Sequence, residues 1–226
     1  AGVDSLAVLG TGDSDTLTAG PLAGNRVSVN HRAAITFTAI ENLSLQGRAG
    51  DDQLSVTPAG LAGVTAISVD GGDPTASDVL LVNGTTAGET LNFQPTGVDA
   101  GSVAVGAGPV VAFTTTESVV IDGQGGNDNL TITNQTVDAR LTLTPGATVD
   151  AGNVDSWLPG AGSLVPLAFS GLGSGGRLTF ANTVVPGSRG DTLEFRGTDV
   201  SDLFDVDSTG RIRLHDPSFA RLVDVY

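Results

Sequence analysis

The chain of 226 residues contains no cysteine, no methionine and no lysine. Without cysteine there is no disulfide framework, and thiols say nothing about compartment. All ten basic residues are arginine, against 25 acids, for a net charge of −15. A surface of that sign repels phosphate backbones and excludes nucleic acid as a natural partner; it attracts divalent cations. Aromatics make up only 4%, so Leu, Val and Ile must fill the core. No apolar run approaches the ~20 residues of a membrane-spanning helix. No stretch carries a helical 3.6-residue period.

Short strands and turns are what the chain does have. It holds 32 glycines and is 39% apolar. Apolar residues stand two apart in Val27-Val29, Ile35-Phe37, Leu43-Leu45, Leu54-Val56, Ile67-Val69, Val103-Val105 and Leu141-Leu143. That period places both on one face of a strand. Gly, Asp and Asn punctuate the strands. The pattern predicts an all-β chain: a β-solenoid stack of short strands, or tandem β-sandwich domains.

Internal repetition organises the strands. Residues 25–57 align without gaps on 101–133, with Val27, Val29, Phe37, Thr38, Glu41, Gly47, Gly50, Asp52, Leu54 and Thr57 identical to their counterparts. Asp4-Ser5-Leu6-Ala7-Val8-Leu9-Gly10-Thr11 aligns with the stretches starting at Asp78 and Asp191, and each Gly-Thr is followed four residues later by an acid, Asp15, Glu89 or Asp202. Four segments are expected: copy 1 over 1–77, copy 2 over 78–133, a divergent insertion or degenerate rungs over 134–186, and a partial copy 3 over 187–226. Stopping within a copy suggests a piece of a longer array. Trp157, the single tryptophan, lies in the divergent segment and is read as a core or cap plug in preference to a ligand platform.

Gly123-Gln124-Gly125-Gly126-Asn127-Asp128-Asn129-Leu130 resembles the haemolysin-type (RTX) calcium-binding nonapeptide. Gly47-Arg48-Ala49-Gly50-Asp51-Asp52-Gln53-Leu54 and Gly187-Ser188-Arg189-Gly190-Asp191-Thr192-Leu193 are weaker matches. The wider pattern, with Glu41-Leu43-Leu45 and Glu117-Val119-Ile121 before the Gly turns, is similar to repeats of large secreted bacterial surface proteins. That resemblance implies an extracellular or cell-surface location and a Ca²⁺ site, with Asp51, Asp52, Asp122, Asp128 and Asn127 as candidate ligands. Calcium takes six to eight oxygens, and each Gly-rich turn here stands alone, so a site would need acids from an adjoining rung. The competing reading makes Asp52 and Asp128 turn residues that accept backbone N–H bonds.

The two histidines, His31 and His215, occupy non-equivalent places, and no triad or His-rich metal constellation is spaced for catalysis. The expected function is a non-enzymatic structural or adhesive module of a larger bacterial surface or secreted protein. Its partners would be further copies, the rest of the parent chain or other surface proteins, and its strands would stack end to end. The alternative is a carbohydrate-binding or carbohydrate-degrading β-helix, with Trp157, Asp155 and Arg177 as first candidates for its groove.

Overall fold

A computed structural model describes residues 2–20, 25–73, 77–134, 138–182, 192–197, 201–208, 211–215 and 221–225, without the side chains of 182, 214, 215 and 221–225. Asp191 and the Gly-rich match at 187–191 lie outside the described residues. The described chain is all-β, apart from one 3₁₀ turn at Pro58–Gly60. In chain order the strands are β1 (Ser5–Leu9), β2 (Thr16–Ala19), β3 (Arg26–Val29), β4 (Ile35–Thr36), β5 (Asn42–Arg48), β6 (Gln53–Val56), β7 (Ala66–Gly72), β8 (Val79–Asn83), β9 (Thr90–Pro95), β10 (Gly101–Val105) and β11 (Val110–Thr114). They continue with β12 (Ser118–Asp122), β13 (Asn129–Asn134), β14 (Arg140–Pro145), β15 (Gly152–Leu158), β16 (Gly162–Ser163), β17 (Leu167–Ser170), β18 (Arg177–Asn182), β19 (Thr192–Phe195), β20 (Leu203–Val206), β21 (Ile212–His215) and β22 (Arg221–Val225).

They form two sheets. Sheet I runs β1-β5-β7-β11-β10-β9-β13-β18-β22-β21-β20, and sheet II runs β19-β14-β15-β17-β12-β8-β6-β2-β3-β4, with β16 beside β15. The chain shuttles between them, and strands that meet after a round trip pair in parallel: β1 with β5, β5 with β7, β2 with β6, β6 with β8 and β8 with β12. Each passage from sheet I to sheet II therefore falls on one side of the stack, and each return falls on the other.

Antiparallel meanders interrupt this shuttle. β2-β3-β4 lies in sheet II, β9-β10-β11 in sheet I, β14-β15-β17 in sheet II and β20-β21-β22 in sheet I. The gapless sequence repeat maps strand for strand, with β3 through β6 matching β10 through β13. Successive copies put the same segment into opposite sheets: β5 belongs to sheet I, its counterpart β12 to sheet II. Within 138–182 the chain makes another meander and then the parallel strand β18, the same succession as 90–122.

Period two decides what is inside. Strands read exposed-buried-partly exposed-buried, as in β6 and β8. Leu17, Leu45, Leu54, Leu80, Leu91, Phe93, Ile121, Leu130 and Ile132 interleave between the sheets and are almost fully buried. Phe93 and Phe113, from the same meander, stack with ring centroids 6.5 Å apart. Burial of each such side chain contributes ~1.5–3 kcal/mol, which lets a chain poor in aromatics hold a long thin core. At the two ends of the stack the core is open. Among the described residues, Ile35, paired with the buried Val27, is exposed at one end, and Phe204 and Val206 are exposed at the other.

Candidate functional site

An acid stands immediately before β1, β2, β5, β6, β8, β9, β12 and β13, and these acids join neighbouring parallel strands. On the side where the chain passes from sheet I to sheet II, the Asp15 N–H donates to Asp52 Oδ1 at 2.6 Å, the Asp52 N–H to Asp78 Oδ1 at 2.7 Å, and the Asp78 N–H to Glu117 Oε2 at 2.8 Å. On the opposite side the Asp4 N–H donates to Glu41 Oε2 at 2.8 Å and the Glu89 N–H to Asp128 Oδ1 at 2.7 Å. These five N–H groups donate to no backbone carbonyl among the described residues, and the carboxylate before the neighbouring parallel strand supplies the acceptor. A hydrogen bond to a charged acceptor is worth ~1.5–3 kcal/mol. All five bonds have the same polarity, each carboxylate reaching toward the N-terminal end of the stack.

The glycine five residues upstream makes room for the acid. A Cβ on Gly10 would stand 2.7 Å from Asp15 Oδ2, and one on Gly84 2.6 Å from Glu89 Oε2. On Gly47, Gly123 and Gly197 it would overlap the carboxyls of Asp52, Asp128 and Asp202. The Gly-Thr pair followed by an acid is explained in the same way. The Thr11 N–H and hydroxyl donate to Asp15 Oδ2 at 2.5 and 2.9 Å, and the Thr85 N–H and hydroxyl donate to Glu89 at 2.6 and 3.0 Å. Thr198 lies outside the described residues.

The carboxyls divide into two electrostatic kinds. Burial pulls the Asp15 pKa upward, but the bonds from Thr11 and from the Asn30 amide, with Arg32 nearby, outweigh it and hold the group below its ordinary value. Asp78 is fully buried, and burial, offset in part by the Asp52 N–H and reinforced by the Asp52, Glu117 and Asp51 carboxylates, pushes it up to about 6. Asp128 is pushed up to about 6 by burial, with the Glu89 N–H opposing and the Glu89 carboxylate adding to the rise. Asp52 is raised as well, first by burial, and then by Asp15 and Asp51 against the bond from the Asp15 N–H. Oδ2 of Asp52, of Asp78 and of Asp128 is buried with no hydrogen-bond partner. A Cβ on Gly47, Gly71 or Gly123 would meet that carboxyl oxygen and also a backbone carbonyl oxygen, Gly71 O, Thr115 O or Gly171 O.

The five candidate calcium ligands fall into two groups on opposite sides of the stack. Asp51 and Asp52 lie on the sheet I-to-II side; Asp122, Asn127 and Asp128 lie on the other. Asp51 Oδ1 accepts the Ser77 N–H. Asp122 accepts both the backbone and the side-chain N–H of Gln124, and Asn127 Oδ1 accepts the Gly175 N–H. Asp52 and Asp128 each spend one oxygen on the neighbouring rung. Among the described residues no group of three or more His, Cys, Asp or Glu side chains is placed to hold a metal ion. Sequence reading placed Asp78 and Glu89 in the repeated block, Glu89 through the Gly-Thr-x-x-x-acid spacing, and passed over Gly71. Asp78 stands seven residues beyond Gly71, outside that spacing.

Trp157 does not plug the core. It is outward-facing on β15 and 45% exposed. The alternation of β15 buries Val154, Ser156 and Leu158 and leaves the Trp on the outer face with Asn153 and Asp155. Asp155 and Trp157 share a hollow with Arg140, the cross-strand neighbour of the Trp. Arg177 is separated from them, on β18 in sheet I.

No protein-family model, curated protein or solved structure matches the chain.

Proposed function

We propose that the chain is a segment of a β-solenoid that serves as a structural or adhesive module of a larger extracellular bacterial protein, without catalysis, and that it extends by end-to-end stacking. The supporting observation is the one-way polarity of the acid bonds together with the open ends. Every carboxylate in the series caps the strand start on its N-terminal side, and Asp4, on the outermost strand of sheet I, repeats the geometry with nothing beyond it among the described residues. At the far end of the same sheet is β20, whose Phe204 and Val206 stand two and four residues after Asp202, as the buried Leu91 and Phe93 stand after Glu89. A second copy placed with its β1 against β20 reproduces the observed parallel pairing of β9 with β13. It covers Phe204 and Val206 and brings Asp4 to the start of β20. Unpaired edges and open cores invite such contacts.

Sedimentation over a range of concentrations tests this. The chain is expected to associate progressively, and Phe204→Lys with Val206→Lys is expected to return it to monomer. A monomer at all concentrations, or association indifferent to those changes, contradicts the stacking. Calcium, which the resemblance implies, has its own test: melting in millimolar Ca²⁺ against EGTA. A ligand held only by the folded chain raises the midpoint by mass action. With Asp51, Asp122 and Asn127 bonded to the protein's own N–H groups, and the free Oδ2 atoms of Asp52 and Asp128 on opposite sides, the expected result is an unchanged midpoint; a rise contradicts that expectation.

A further inference from the structure

The outer face of sheet II at β14 and β15 departs from the rest of the stack. Outward positions elsewhere are mostly Ser, Thr, Asn and Ala. Here Trp157 stands beside Arg140, its direct partner across the strands, and Asp155 follows two residues back, with Asn153 two further back. All four are exposed. Neither the Arg140 guanidinium nor the Asp155 carboxylate makes a hydrogen bond or ion pair among the described residues. The hollow that they line with Trp157 and Ser163 has a volume of about 260 Å³. A second hollow, of about 440 Å³, lies on the other side of the Trp and Arg140. An indole with a hollow on each flank is an arrangement with no role in holding the strands together.

We infer that this face binds a neutral β-linked oligosaccharide. The indole offers a broad apolar surface for the C–H face of a pyranose ring, with a polar tip at its edge. Arg140 supplies up to five donors and Asp155 only acceptors, which matches the alternating donor and acceptor needs of neighbouring ring hydroxyls. Their opposite charges cancel, so the patch favours a neutral ligand over a uronate. The row Asn153-Asp155-Trp157 advances by about 7 Å at each step, in a straight line along the strand. It therefore suits the interior of an extended chain better than a single sugar in a deep pocket. Asp155 lines the hollow on one side of the Trp and Asp138 the hollow on the other; the inference is of binding alone. This inference does not depend on the stacking proposed above.

Trp157 is the only tryptophan, so its fluorescence reports on this face alone. Titration of the chain with cellohexaose is expected to shift and saturate the Trp157 emission, with a dissociation constant in the millimolar range or below. Calorimetry with the same probe is expected to lose the heat of binding in Trp157→Ala, and to show at least tenfold weaker binding in Arg140→Gln and Asp155→Asn. All three variants should melt as the parent does, because the side chains are exposed. An emission spectrum unmoved by millimolar cellohexaose overturns the inference. So does binding that persists in Trp157→Ala.

Discussion

The chain is expected to melt at a higher temperature at pH 5 than at pH 8. Asp78 and Asp128 have folded pKa values of about 6, against an ordinary 3.8. Between these values the folded chain binds protons that the unfolded chain has released, so stability falls as pH rises. The contribution is complete below 3.8 and is lost as pH rises through about 6. From pH 8 to pH 5 each group returns on the order of 1 kcal/mol, and the two together on the order of 2–3 kcal/mol. For a chain of this length that is a shift on the order of 5–10 °C. Asp52, raised in the same direction, adds to it. Asp15 acts in the opposite sense, because its lowered pKa gives stability that is present above 3.8 and lost below it. Asp78→Asn separates this effect from the general relief of a charge of −15. The amide keeps an acceptor for the Asp52 N–H and removes a buried charge that lies near the Asp52, Glu117 and Asp51 carboxylates. Asp78→Asn and Asp128→Asn are therefore expected to raise the midpoint at pH 8 and to flatten its dependence on pH. Calorimetric scans of the three proteins across this range check both parts. A fall in stability at pH 8 for either variant contradicts the assignment.

The second large effect belongs to Gly71. A Cβ there would overlap the Thr115 carbonyl oxygen and Asp78 Oδ2, and would press on the Asp78 Cβ at 2.9 Å. The carbonyl is backbone in the adjoining rung and cannot swing aside. Gly71→Ala forces two rungs apart at the point where Asp52, Asp78 and Glu117 hold them in series. We expect a loss of more than about 4 kcal/mol, at the far end of what single substitutions do. Gly12→Ala is the control: a Cβ there meets nothing within 4 Å, and chemical denaturation should leave its midpoint near that of the parent.

Much of the architecture was legible because it rests on the local period. Alternation in Leu54-Val56 or Val103-Val105 states which face is buried, and the gapless match of 25–57 to 101–133 states which strands correspond. The sequence could not show that corresponding copies enter opposite sheets. That depends on a meander occupying the position of a single strand, so that the first copy fills five positions, β1, β2-β3-β4, β5, β6 and β7, and the next copy starts in the other sheet. The site was half legible. Gly47-Asp52 and Gly123-Asp128 stood out as pairs, yet the reason for the glycine is a carboxyl packed over its Cα, and the partner of that carboxyl is an N–H some 26 to 39 residues away in the chain. A local motif carries no record of so distant a partner, and glycine with aspartate in a turn has the same appearance in a metal loop. Trp157 was misjudged on composition. A single large apolar residue is most often buried, but its place in the alternation with Val154, Ser156 and Leu158 puts it outside.

The claim on which the rest depends is that buried acids, sharing backbone N–H groups between rungs, hold the stack together. The carboxyl carbon of Asp78 and the backbone amide of Asp52, followed together by NMR from pH 4 to pH 8, test it most directly. The account predicts one midpoint near 6 in both signals, because the proton that leaves Asp78 changes the bond that the Asp52 N–H donates to it. An Asp78 carboxyl that titrates near the ordinary 3.8, or an Asp52 amide that does not move with it, would contradict the account.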